Sequence, residues 1–141
     1  MTEALAPTTV APVTKRLRVV TIVALVLVGL QVVLGGALAA QMNALEIVHA
    51  IVAYTLFLVT VVAAGFAWGH AKVAGKKGVF FHALSIPVLM IVQIGLGSMK
   101  ITIIHMLLGL AIAVAIGALY AIVAKVPGED DSDDEIDLID E

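Results

Sequence analysis

Four stretches of this chain, residues 18–41, 44–69, 79–98 and 101–125, are long, apolar and nearly free of charge. A helix needs about 20 consecutive apolar residues to cross the hydrocarbon core of a bilayer. No water is available there, so each backbone N–H and C=O must find its partner within the segment, and helix is the form that allows it. Only 13% of the residues are charged and 62% are hydrophobic, whereas a soluble domain carries about 25% charged residues. The sequence therefore predicts an all-α fold, an integral membrane four-helix bundle over residues 18–125. Residues 1–17 are expected to be a disordered N-terminus and residues 126–141 an acidic, disordered tail.

The first apolar run follows Lys15, Arg16 and Arg18, and Ala37-Leu38-Ala39 resembles a leader cleavage site. The run is too long for the apolar part of a signal peptide, about 7–15 residues, and reads as a transmembrane helix. Short turns at 41–43 and 99–100 join helices one to two and three to four. A basic loop, 70–78, joins two to three, and Pro87 marks an expected kink in the third helix. Lys15, Arg16, Arg18, Lys72, Lys76, Lys77 and Lys125 then fall on one side, and Lys100 alone on the other. Cations collect on the cytoplasmic side, so both termini are placed in the cytoplasm and the protein in the inner (plasma) membrane.

Nine of the eleven acidic residues lie in 129–141, so residues 1–128 carry eight cations and two acids, a net +6. The acidic tail reads as solvated chain, or as a segment that docks on a partner's basic surface. The chain has no cysteine, which excludes disulfides, thiolate metal sites and thiol catalysis. No phosphate-binding loop, nucleophile triad or nucleic-acid patch is present.

Two segments repeat. Leu30-Gln31-Val32-Val33-Leu34-Gly35-Gly36 ends the first helix, and Val92-Gln93-Ile94-Gly95-Leu96-Gly97-Ser98 ends the third. After each turn comes a helix with an early histidine, His49 or His105. The bundle thus reads as two pseudo-symmetric transmembrane hairpins related by an axis along the membrane normal.

Ionisable residues inside a membrane are costly and mark functional sites. At ~1.5 Å per residue, His49 and His105 each lie roughly 6–8 Å below the outer helix ends, and the repeat symmetry turns them toward one another. Two histidines at equal depth on facing helices suit the two axial ligands of a haem. Ala53 and Gly109, four residues on and on the same helix faces, leave room beside a ring. Gly35 and Gly97 thin the other two helices in the same way. Zinc or copper would call for a third or fourth ligand, and only Glu46 is near. Hydrogen bonding within the bundle without a cofactor, or another metal, stays open on these residues alone.

Glu46 shares the face of His49, and its counterpart in the repeat is Thr102. It is the candidate catalytic group, to orient a ligand or relay protons, or else an interfacial carboxylate that favours a helix start. Lys100 is placed to pair a haem propionate or Glu46. Gln31 and Gln93 are candidate cofactor-binding residues or hydrogen-bonding links between helices. His70 and His82, beside the basic loop, are expected at the headgroups, and Trp68, Phe80 and Phe81 as interfacial anchors. Met90 and Met106 read as packing residues.

Glu46-x-x-His49 at the head of the second helix, with Gln93-x-x-Leu96-Gly97 before His105, resembles the heme A synthase family over about residues 18–125. Members of that family look like two fused four-helix halves, each holding a haem between histidines of its second and fourth helices; this chain resembles one half. The resemblance implies Glu46 as the catalytic carboxylate and His49 and His105 as ligands of haem b, or of a haem o or haem a type substrate. A homodimer would then supply a second haem. Three roles follow as expectations: haem modification, electron transfer as a b-type cytochrome, or a cofactor-free accessory subunit that docks on a respiratory oxidase complex.

Overall fold

The computed structural model describes residues 11–125, so the acidic tail and residues 1–10 lie outside it. The described chain is all-helical: α1 (Pro12–Ala39), a single 3-10 turn (Asn43–Leu45), α2 (Glu46–Ala74), α3 (Lys77–Ser98) and α4 (Thr102–Ala124). All four α-helices are long and apolar enough to cross a membrane.

Two boundaries differ from the sequence reading. The first helix starts at Pro12 rather than at residue 18. Proline suits a first helical position, because its φ is preset and the N–H it lacks would have had no partner there. Leu17, which fell in the segment expected to be disordered, is fully buried. The basic loop expected at 70–78 is almost all helix, and only Gly75 and Lys76 link α2 to α3. Gly75 ends α2 at φ 68°, a left-handed conformation that glycine adopts without a Cβ clash. Lysines in this stretch keep their charges at the surface while the backbone stays helical, which is why composition alone resembled a loop.

The helices pack in a ring. α1 lies against α2 and α4, and α3 lies against the same two. The pairs α1/α3 and α2/α4 are diagonal, and their backbones do not approach closely. Short connections make neighbours antiparallel. One end of the bundle gathers Lys15, Arg16, Arg18, Lys72, Lys76, Lys77 and Lys125 and is called the cationic end. The opposite end gathers His49 and His105 and is called the histidine end.

At the cationic end Arg18 donates from Nε to the carbonyl of Val123 and from Nη2 to that of Lys125, 3.2 Å. These are among the last carbonyls of α4, which have no partner inside their own helix. Trp68 meets Phe80 edge-on at 4.8 Å, and Lys72 Nζ lies 4.8 Å over the Trp68 ring.

The apolar core runs from Leu17, Ala67, Val79 and Val123 at the cationic end to Val28, Leu56, Met90 and Ile112 near mid-bundle. Alanines 63, 64, 67 and 71 are the buried face of α2 at the cationic end; such small side chains let helix backbones approach closely. Buried Thr21 and Thr60 return their hydroxyl protons to carbonyls one turn back, Leu17 and Phe57, which leaves no buried hydroxyl unpaired there. The exterior is apolar too, with Val26, Leu58, Val88 and Val114 exposed. Helices apolar on every side are what a lipid environment accepts. Met90 is buried as expected, but Met106 is exposed and packs nothing in the core. α3 runs through Pro87 without a break.

Candidate functional site

His49 and His105 are each the fourth residue of their helix, α2 and α4. They therefore stand at matched depth, about 4.5 Å inside the helix start. Although these helices are diagonal, the two imidazole centres lie 6.2 Å apart with the rings tilted by 59°. Typical metal–imidazole bonds of about 2.0–2.1 Å would put the centres of two opposed rings roughly 6 Å apart.

Each histidine is held by a glutamine of the preceding helix. Gln31 Nε2 donates to the His49 carbonyl at 3.1 Å and lies 3.3 Å from His49 Nε2. Gln93 Nε2 donates to the His105 carbonyl at 2.8 Å. A carbonyl has two lone pairs, so each can accept this bond in addition to its helical one. The glutamine and histidine are 18 residues apart in the first hairpin and 12 in the second. The turns between them are built alike: Gln41 and Lys100 are the two left-handed non-glycine residues of the described chain. The first hairpin is longer by three residues in each arm, and the 3-10 turn Asn43–Leu45 takes up the extra length on the α2 side.

The ring nitrogens are partnered differently. His105 Nδ1 donates to the Gln93 carbonyl at 3.0 Å. A carbonyl can only accept, so Nδ1 carries the proton and Nε2 the lone pair. His49 Nδ1 is buried with no partner, as are the Oε1 atoms of Gln31 and Gln93. Three unpaired buried polar atoms in one small region are unusual for a folded protein and call for an explanation.

The glycines lie against the site. A methyl group on Gly97 would stand 3.0 Å from His105 Cε1, and one on Gly35 would stand 3.6 Å from His49 Cε1. The clearance at Gly109 serves another purpose than expected. The Gln93 carboxamide fills it, and a methyl there would lie 2.8 Å from Gln93 Nε2. Ala53 is half-buried one turn below His49.

Glu46 opens α2, exposed at the rim one turn outside His49. Lys100 is exposed in the other turn. Among the described residues neither side chain has an ion-pair partner, so the pairing of Lys100 with Glu46 does not form. The histidines expected at the headgroups each pair with a neighbouring helix. His82 Nε2 donates to the Ala115 carbonyl of α4 at 2.8 Å, and His70 Nδ1 shares a hydrogen bond with Thr14 Oγ1 at 2.9 Å. Their positions near apolar runs gave no sign of these partners, save the spacing that set His82 on the face of Gln93.

The histidine pair suits a haem in three respects. No three His, Cys, Asp or Glu side chains gather to hold a metal ion among the described residues, so a metal here would need most of its donors from a macrocycle. The unpaired polar atoms lie beside the pair. In α2 no residue before Leu56 is buried, and in α4 none before Ile112, so the two ligand-bearing helices bring no packed core to the histidine end. Two shallow troughs of about 330 and 210 Å³ run along α1 and α2, between Lys15, Arg16 and Phe66 and then between Val23, Leu58 and Val62. They involve neither histidine and are surface furrows between outward apolar side chains. Compared with family models, with curated proteins and with solved structures, the chain matches none.

Proposed function

We propose that this is a multi-pass protein of the plasma membrane that binds one b-type haem between His49 and His105. The observation that carries this reading is the 6.2 Å separation of two imidazoles delivered at matched depth by diagonal helices. The paired glutamine–histidine bonds support a bundle of two related hairpins, with the pseudo-two-fold axis between α2 and α4. Seven cations at one end and Lys100 at the other support cytoplasmic termini, with the haem near the outer face.

The residues divide the work. His49 and His105 hold the iron. Gln31 and Gln93 fix the backbone of each ligand, and Gly35 and Gly97 let the preceding helices close against the imidazoles. Bound haem supplies one-electron chemistry, and two protein ligands to the iron favour electron transfer as a b-type cytochrome. The unpaired Glu46 favours a second reading, haem modification of the heme A synthase type. There the Glu46 carboxylate would take a proton at the rim, and the haem itself would be the substrate.

The test is an absorption spectrum of the full-length protein after expression with ample haem. A Soret band that is lost or altered in both His49→Ala and His105→Ala supports the site. A protein without the band, or a band unchanged in both variants, overturns it. The protein without a band would instead fit an accessory subunit, which co-purification with an oxidase would identify.

A further inference from the structure

The two histidines are not equivalent, and this carries a consequence that rests on the haem reading above. His105 is tied at three points. Its Nδ1 donates to the Gln93 carbonyl, its own carbonyl accepts from Gln93 Nε2, and Gly97 packs closely on the ring. This leaves Nε2 as its lone-pair nitrogen, with no hydrogen-bond partner among the described residues. A hydrogen bond on the far nitrogen orients a ligating imidazole and raises its basicity.

His49 has the opposite arrangement. Its Nδ1 is buried and unpaired, and the Gln31 amide stands 3.3 Å from its Nε2. The nearest methyl position on Gly35 is at ordinary van der Waals distance. The ring has no far-side hydrogen bond to strengthen it as a ligand, and the Gln31 N–H is in place to donate to His49 Nε2 when that nitrogen is off the iron.

We propose that His105 is the anchoring ligand and His49 the exchangeable one, so that the ferrous site opens on its α2 side to a small neutral ligand of diatomic size. With haem bound, His49 would release the iron as the incoming ligand takes its place, one bond broken for one formed. The oxidation state would not change, and the released His49 Nε2 would accept a hydrogen bond from the Gln31 N–H. The ligand enters on the side that carries Glu46 at its rim.

Carbon monoxide tests this on the dithionite-reduced, haem-loaded, full-length protein in detergent. The wild type is expected to bind it. His49→Ala should keep its haem and bind carbon monoxide roughly tenfold more tightly, because no ligand has to leave. His105→Ala should pass haem to a scavenging apoprotein roughly tenfold faster than His49→Ala, the scale at which removal of ligand support is felt. Because His105→Ala could fail to fold, the glycine pair gives a second comparison with both ligands present. Gly97→Ala should speed haem loss several-fold more than Gly35→Ala does. A Soret band in the wild type with no carbon monoxide binding overturns the proposal alone, as does equal haem loss from the two histidine variants or from the two glycine variants. Absence of the band overturns the haem reading itself.

Discussion

His49 and His105 face each other at 6.2 Å across a bundle whose second and fourth helices lie on a diagonal, backbones apart. Diagonal helices bring side chains together only at the axis, so the approach requires both rings to point inward from matched depth. Each fourth helical position meets that requirement.

Gly109→Ala adds a methyl 2.8 Å from Gln93 Nε2 and so displaces the amide from the His105 carbonyl. A hydrogen bond between membrane helices averages about 0.6 kcal/mol, and overpacking adds about 1–3 kcal/mol. The expected loss of about 1–3 kcal/mol would be read from unfolding in mixed detergent. Ala53→Gly, on the equivalent face of α2, should cost no more than about 1 kcal/mol.

Glu46→Gln is expected to leave any Soret band unchanged, because the carboxylate stands at the rim one turn from His49. If the haem is a substrate, the same variant should stop formation of the modified haem, measured by chromatography of extracted haems. An unaltered yield would leave electron transfer as the role.

Arg18→Ala removes both donors to the end of α4. Hydrogen bonds from a charged group contribute about 1.5–3 kcal/mol when buried, and less at a partly exposed site. The expected signature is local: faster amide exchange over residues 121–125 than in the parent, with little change at the histidine end.

The absence of native cysteine makes topology directly measurable. Single cysteines at Lys77 and at Met42 should react with an impermeant thiol reagent from opposite sides of the membrane, Lys77→Cys from the cytoplasm and Met42→Cys from outside. Labelling of both from one side would refute the four-span arrangement.

The helices and the histidine pair were legible in the sequence because both depend on period and position. Apolar runs of spanning length have one backbone solution, and the repeat fixed the relative depth of His49 and His105. The stretch 70–78 was misread because Lys72, Lys76 and Lys77 look like loop residues, yet lysine is a good helix former and only Gly75 breaks the backbone. That the Gln93 carboxamide would lie against Gly109 was not visible, since a side chain's reach across helices depends on the packing angle. The same holds for His82, whose acceptor Ala115 lies 33 residues away. That Glu46 and Lys100 would not pair could not be read, because both are rim residues whose conformations little else constrains.

The packed core stops at Val28, Leu56, Met90 and Ile112, and this sets an order of assembly. The cationic half carries the apolar contacts that sort the helices, so the bundle can be inserted and paired before any prosthetic group is delivered. Loading then becomes a separate event at a finished but loosely closed mouth. On the haem reading, cells starved of haem should therefore accumulate a helical, membrane-embedded precursor that can still be filled, rather than a chain destined for degradation.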